Sequence, residues 1–356
     1  MIYKDLSNHP LMITTTQIKE IRSFLEKSKK PLFIFDNDPD GLTSYLLLKK
    51  RYLKGERLCL KASQKTEGMV IVAAVKRHKP DLVVFLDVPT LEQDLINQIN
   101  TKIVWIDHHP PLERENVHYY NPRNGKKPDN RPTSYWAYQV ADENVWLAVV
   151  GIVADWFVPD AKTLKKFKYK KLLGSVKNKT PPQLIFDTEY GKLVKAWYFC
   201  MKGTNEEMNE CLDALEQIES PLEIFDQTTR NGKIVYQRYT KVKKDYDKLL
   251  QEALSQEHEN VFICRYPGDK LSYRSILSNE LIYRLKSNVI IIATEKEGEV
   301  VMSLRSKGDK PIASVLKKAL EVFKGYGGGH DHACGGAVSK DDFPKFVEFV
   351  KTAYKK

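Results

Sequence analysis

A chain of 356 residues exceeds one compact core of ordinary size, so two domains are expected, and 42% hydrophobic with 29% charged residues excludes a disordered or fibrous chain. Lysine and arginine outnumber aspartate and glutamate by 57 to 46, and the resulting +11 favours an anionic partner without naming one, because lysine-rich composition also accompanies heat adaptation. Five scattered cysteines (Cys59, Cys200, Cys211, Cys264, Cys334) with no Cys-x-x-Cys pair give no zinc ribbon or disulfide framework. With no cationic leader and no apolar run long enough to span a bilayer, the expectation is a soluble cytoplasmic protein.

Along the chain, Thr15 or Thr16 is read as the cap of an amphipathic helix through Ile18, Ile21 and Leu25. PLFIF (31–35) reads as a buried strand and Thr43 to Leu53 as the next helix. RLCLKA (57–62) is a strand, MVIVAAVKRH (69–78) a helix, DLVVFLD (81–87) a strand. A helix near 91–100 and the strand KIVWIDHH (102–109) follow. Short apolar strands alternating with helices imply an α/β domain with a parallel sheet covered on both faces, which binds ligands at the carboxyl ends of its strands.

Those strand ends are acidic. FIFDNDPDGLTS (33–44) places Asp36, Asp38 and Asp40 after the first strand; Asp87 ends VVFL, and Asp107, His108 and His109 end IVWI. Asp155 breaks the apolar, helical run VWLAVVGIVADW, where a lone carboxylate is costly to bury unless paired or bound to metal. Taken singly, each has a plain reading: a solvated acidic turn, a helix cap at Asp87, a surface turn at DHH, a salt-bridge partner at Asp155. A calcium loop is disfavoured because Leu47 stands where an EF-hand needs its bidentate glutamate. Three clustered carboxylates repel one another unless a cation sits among them, and their joint arrival at one sheet edge points to a metal site.

NRPTSYWAYQV (130–140) reads as a turn leading into a helix that Ser134 caps, with Tyr135 and Trp136 in the core. KTLKKFKYKKLLGSVKNK (162–179) is strongly basic; its simplest reading is a solvated linker face, the alternative being contact with backbone phosphates. Helical stretches run to about 256. Strands return in NVFICRYP and NVIIIATEKEGEVVMSLRS, followed by a helix at 311–324 and a glycine-rich loop. There Gly325, Gly327, Gly328 and Gly329 would let main-chain N–H groups approach an anion, or else form a tight turn.

Asp-x-Asp-x-Asp-Gly, the Asp after the next apolar strand, Asp107-His108-His109 and Asp155 resemble the four motifs of the DHH phosphoesterase superfamily. VMSLRSKG…FKGYGGGHDHACGGAV (301–338) resembles the DHHA1 domain, and the whole is most similar to archaeal RecJ-like nucleases. One departure is Asp87-Val88-Pro89, where the family usually continues Asp-x-Gly. The resemblance implies a DHH domain over 1–186, a helical linker over 187–256 and a smaller α/β DHHA1 domain over 257–356. It implies Asp36 and Asp38 near one metal, Asp40, His108 and Asp155 near the other, Asp87 bridging, and His109 orienting a ligand or contacting phosphate. Asp38, Asp40, His108 and His109 would be the catalytic set, and the oxygen-rich donors suit two Mn²⁺ ions, with Mg²⁺ the alternative. Ser303, Arg305, Gly327, Gly328, Gly329 and His330 would bind substrate across a cleft between the domains.

The implied activity is a RecJ-like exonuclease releasing nucleoside monophosphates from single-stranded DNA or RNA, working alongside replication or repair proteins. The alternatives are an enzyme for short oligoribonucleotides, 3′-phosphoadenosine phosphate or cyclic dinucleotides, and, outside catalysis, an inactive replisome scaffold. The scaffold predicts broken motifs, and all four are intact.

Overall fold

The computed structural model describes residues 13–61, 64–124, 129–176, 178–268 and 271–355. The chain divides into two units. The first extends up to Met201 and takes in Asn205–Arg238; the second comprises Lys202–Thr204 and everything from Tyr239 onward.

The first unit opens with α1 (Thr15–Lys27), β1 (Pro31–Asp36), α2 (Pro39–Tyr52), β2 (Glu56–Leu60), α3 (Gln64–His78), β3 (Leu82–Leu86), α4 (Gln93–Asn97), β4 (Lys102–Ile106) and β5 (His118–Tyr120). After α5 (Thr133–Ala141) and α6 (Val145–Ala154) come the short α7 (Ala161–Lys166), α8 (Lys170–Leu173) and α9 (Pro181–Phe186). Then follow α10 (Gly191–Cys200), α11 (Asn205–Gln217), α12 (Pro221–Phe225) and the first turns of α13 (Arg230–Leu254). The cap of α1 is Thr14, not Thr15 or Thr16, because Gln17 completes a capping box with it.

The five strands pair in the order β2-β1-β3-β4-β5, all parallel, so their carboxyl ends share one edge. Period-2 alternation splits the buried strands between two cores. Leu32, Ile34, Val83, Phe85, Ile103 and Trp105 pack with Ile71 of α3 and Ile96 of α4. The opposite set includes Phe35, whose ring stacks on Tyr45 of α2 at 4.8 Å. Strand β5, three residues long, carries no hydrophobic pattern that the sequence could announce. At Gly41 a β-carbon would lie 2.7 Å from the Asp36 carbonyl oxygen, so only glycine lets the first turn of α2 press against the end of β1.

The second unit contains β6 (Val261–Pro267), α14 (Arg274–Arg284), β7 (Val289–Lys296), β8 (Glu299–Ser306), α15 (Ile312–Leu320), β9 (Gly325–His330), β10 (Ala333–Ser339) and α16 (Phe343–Ala353). Its sheet runs β6-β7-β8-β10-β9, parallel only between β6 and β7. One face, carrying Val289, Ile291, Val300, Met302 and Leu304, packs on α15 and α16. The segment expected to be a glycine-rich loop is instead the edge strand β9, hydrogen-bonded along β10. Three of its glycines explain this. A β-carbon on Gly325, Gly327 or Gly329 would meet β10 backbone oxygens at 2.2, 2.7 and 2.5 Å, so the lack of side chains serves close strand pairing.

Candidate metal centre

The Asp-x-Asp-x-Asp-Gly segment is the β1–α2 junction. Asp36 is the last residue of β1, and Asp38 is the N-cap of α2, its Oδ1 accepting the Gly41 amide at 2.8 Å. Asp40 is buried in the first turn of α2, and its oxygens Oδ2 and Oδ1 accept the Thr133 and Ser134 amides at 2.8 and 2.9 Å. Those amides are unpaired donors at the start of α5, whose N-cap position, Pro132, offers no side-chain acceptor. Ser134, expected to cap α5, therefore sits inside its first turn, and Asp40 supplies the acceptors from another helix. Gly151 of α6 permits this arrangement, since a β-carbon there would fall 2.4 Å from Ser134 Oγ.

From β3 comes Asp87, in the left-handed region at φ 61°, its Oδ1 accepting the Thr133 hydroxyl at 3.0 Å. The altered Asp87-Val88-Pro89 loop is pinned by Trp105, whose Nε1 donates to the Val88 carbonyl at 2.9 Å. From β4 come the two histidines. His108 Nδ1 lies 3.4 Å from the Asn130 carbonyl, an acceptor that requires Nδ1 to carry the proton. Its Nε2, the lone-pair nitrogen of the neutral ring in that tautomer, faces Asp87 Oδ1 at 3.5 Å, Asp155 Oδ2 at 3.8 Å and Asp40 Oδ2 at 3.9 Å, Asp155 being the C-cap of α6. His109 Nδ1 donates to Asp107 Oδ1 at 2.8 Å and lies 3.8 Å from Asp87 Oδ1.

The electrostatics call for cations. Burial first, then the charge of Asp38, raises the Asp36 carboxyl to about 7. The same two causes raise Asp40 to about 7, against the opposing hydrogen bonds from Ser134 and Thr133. Asp87 and Asp155 are pushed well above the ordinary carboxylate range by burial, then by Asp40 and Asp38. For His109, burial disfavours the charged ring, but the hydrogen bond and charge of Asp107 prevail and raise its pKa. Among the described residues no lysine or arginine forms an ion pair with Asp36, Asp38, Asp40, Asp87 or Asp155. Two donors each about 2.1 Å from one ion lie about 3.0–3.6 Å apart, close to the separations around His108 Nε2 and too short to leave that nitrogen and those carboxylates as strangers. The donor set fits hard divalent ions: Asp40, His108 and Asp155 can share one, while Asp87, Asp107 and His109 also cluster, with the Asp107–His109 hydrogen bond engaging the facing atoms of that pair.

Several residues here carry roles that the sequence alone does not assign. Asp107 stands in the DHH motif without a role of its own there; buried, it holds both the backbone and ring of His109 and accepts from Asn121 Nδ2 at 3.2 Å and Tyr119 OH at 3.4 Å. Glu67, on α3, adds negative charge near Asp36. The turn 129–134 touches three of the donors through Asn130, Thr133 and Ser134. It is fixed by Arg131, whose guanidinium pairs with Asp129 and lies over the rings of Tyr135 (4.2 Å) and Trp136 (5.0 Å). The signal for that turn is the pair Asp129–Arg131 beside buried aromatics, which has no meaning until the donors it orients are known.

In the second unit, Arg305, Ala333 and His330 form one cross-strand row, and Ser303, Gly335 and Gly328 the next. Arg305 and His330 thus lie on β8 and β9 with β10 between them. Arg305 is anchored, with Nε donating to Asn279 Oδ1 at 2.5 Å and Nη1 to the Leu304 carbonyl at 2.9 Å. Gly328 differs from its neighbours: a β-carbon there would meet nothing within 4 Å. His332, close to the glycine run, is engaged by Ser306 Oγ at 2.9 Å. His9 lies outside the described residues.

Residues 268–356 match the DHHA1 domain family. Over 98% of its length the chain is similar in structure to RecJ from Thermus thermophilus in complex with Mn²⁺, with a TM-score of 0.72 and 15% identity, but it spans only 56% of that protein. An exonuclease RecJ bound to manganese aligns with a TM-score of 0.63 and 14% identity over 98% of this chain and 97% of the other. An exopolyphosphatase-related protein from Bacteroides fragilis aligns at 0.52 and 14%, covering 96% of each chain. No curated protein matches by sequence. No described helix is long and apolar enough to cross a membrane.

Proposed function

The chain has the DHH–DHHA1 phosphoesterase fold, and from that premise we propose a metal-dependent phosphodiesterase that hydrolyses single-stranded nucleic acid from an end, releasing nucleoside monophosphates. The observation that carries the hydrolytic part is the convergence of Asp40, Asp87 and Asp155 on His108 Nε2, with no lysine or arginine paired to them among the described residues. Asp40, His108 and Asp155 would hold one ion, Asp36 and Asp38 the other, and Asp87 would stand between them. Holding divalent ions there, these residues would gain Lewis-acid chemistry, which lowers the pKa of a bound water and offsets charge on a scissile phosphate. Two similar RecJ structures contain manganese and a third contains Mg²⁺, which supports either ion here.

The protein's own groups do the positioning. The Asn130 carbonyl, by holding a proton on His108 Nδ1, would leave Nε2 of the neutral ring as the nitrogen offered to a metal ion. Asp107 orients His109 with Nδ1 engaged, leaving Nε2 to contact a phosphate oxygen or deliver a proton to the leaving oxygen. Ser303, Arg305, Gly327, Gly328, Gly329 and His330 would receive the terminal nucleotide in the DHHA1 domain.

A hydrolysis panel with Mn²⁺ tests this reading, using end-labelled single-stranded DNA and RNA, a five-nucleotide RNA and cyclic di-adenylate. Shortening of the long strands with monophosphate products is expected, and the labelled end reports polarity. Hydrolysis confined to the short or cyclic substrates would overturn the strand-degrading reading, and none with any substrate would overturn the phosphodiesterase.

A further inference from the structure

The positive charge of this chain is not spread evenly. Residues 162–179 carry eight lysines, and no aspartate or glutamate occurs from 161 to 186, so most of the net +11 resides in one short stretch. That stretch is firmly seated. Thr163, Phe167 and Leu173 are buried, the Phe167 ring lies edge-on to Tyr190 at 5.2 Å, and the Tyr190 amide donates to the Leu172 carbonyl at 2.9 Å. Tyr169 OH is 3.0 Å from Ser220 Oγ. With its apolar residues turned inward, α7 and α8 present their lysines outward. Lys162, Lys165, Lys168, Lys170 and Lys171 are exposed, and among the described residues none is within ion-pair distance of a carboxylate; Lys166 pairs with Asp142 at 2.8 Å.

The stretch is also tied to the metal centre within the same unit. Asp160 caps α7 by accepting the Thr163 amide at 2.7 Å, while its other oxygen faces Arg131 Nη1 at 3.9 Å. Arg131 fixes the turn that holds Asp40, Asp87 and His108, and Asp155 lies five residues before Asp160. The lysines therefore start one ion-paired connection, Asp160 to Arg131, away from the turn that holds those donors.

We propose that the lysine face of 162–171 is a docking surface for the phosphate backbone of a single strand whose end lies at the metal centre, which makes a polymer the substrate rather than a mononucleotide or cyclic dinucleotide. Two features select this partner. The exposed lysines are distributed over successive turns of α7 and α8, so a ligand with several phosphates is needed to engage them together. No large hydrophobic side chain is exposed between 161 and 176, so the face offers neither a base-stacking platform nor an apolar wedge for a lipid surface. Contact is thus to the backbone and independent of sequence.

This inference rests on the phosphodiesterase reading for its substrate but is tested without catalysis. In EDTA, binding of a fluorescent 20-nucleotide single strand to the full chain is followed by anisotropy across a salt series. The compared variants are Lys162→Ala/Lys165→Ala/Lys168→Ala/Lys171→Ala, the same four changed to arginine, and a charge-matched control, Lys19→Ala/Lys27→Ala/Lys76→Ala/Lys345→Ala. Each single-strand phosphate contact contributes about 0.7 to the log–log salt slope, so the first quartet should flatten it by about 2–3 and weaken binding at least about tenfold near 0.1 M salt. The arginine quartet should keep the wild-type slope, and thermal unfolding shows whether the alanine quartet is folded. Equal slopes in the alanine quartet and the control, or no strand binding by the wild type, would overturn the surface. Strand binding with a flattened slope but no hydrolysis in Mn²⁺ would leave the surface standing and remove the phosphodiesterase instead.

Discussion

The two sheets of this protein end in edges of opposite character. At the carboxyl edge of the parallel sheet, charged side chains are buried and held from several directions: Asp40 alone accepts two backbone amides, and Asp107 accepts from His109, Asn121 and Tyr119. At the outer edge of the mixed sheet, β9 is exposed, almost without side chains, and shaped by close contact with β10. Carboxylates buried that deeply are expensive without cations, so the first edge declares its chemistry through electrostatics. The second has no comparable penalty, and its glycines answer to strand packing before any ligand.

The sharpest way to break that contrast is to remove carboxylates one at a time. Asp38→Ala and Asp40→Ala should each reduce Mn²⁺-dependent hydrolysis by at least about a thousandfold, because both alter the cluster that balances the ions. Their stabilities should differ. Asp38→Ala loses a helix cap worth about 1 kcal/mol. Asp40→Ala strands two buried amides of α5, at about 1–3 kcal/mol each. Denaturant unfolding in EDTA checks the order, and equal stabilities would show that Asp40 does not carry α5.

A pH series sharpens the same point. Folding raises Asp36 and Asp40 from the ordinary 3.8 to about 7. Between those values the folded chain keeps protons that the unfolded chain has released. The metal-free protein is therefore favoured at low pH and should lose stability as pH rises from about 4 through about 7. Divalent ions reverse the sign, since they bind the deprotonated carboxylates and release protons. The melting temperature in EDTA should fall over that window, while the increment produced by Mn²⁺ should grow. A flat increment would mean that the ions bind elsewhere.

These differences also explain what the sequence could reveal. The strands around PLFIF, LVVFL and KIVWI announce themselves because both faces are buried, and the acids after them stand out because polar residues seldom follow such runs at that density. The helix expected over 91–100 is confined to Gln93–Asn97, and β5 escapes notice, because neither has the length for a periodic signal. What Asp40 and Ser134 do for α5 depends on a contact across 94 residues, which no local pattern encodes. The glycines after 324 read as a loop for a related reason: without side chains they have no alternation, and among the described residues the only strand they pair with is β10.

Because packing and binding compete to explain those glycines, two of them can be set against each other. At Gly327 a β-carbon would lie 2.7 Å from the Gly335 carbonyl oxygen and 3.1 Å from Leu316. Gly327→Ala should therefore lower stability by about 1–3 kcal/mol, whether or not substrate is present. At Gly328 the space is open, on the row shared with Gly335 and Ser303, and Gly328→Ala should leave the melting temperature within about 1 °C of wild type. If that face receives the terminal nucleotide, the added methyl group should still raise KM for a single strand several-fold with kcat little changed. An unchanged KM would assign the entire glycine run to strand pairing and move nucleotide recognition to Arg305 and its neighbours on α14.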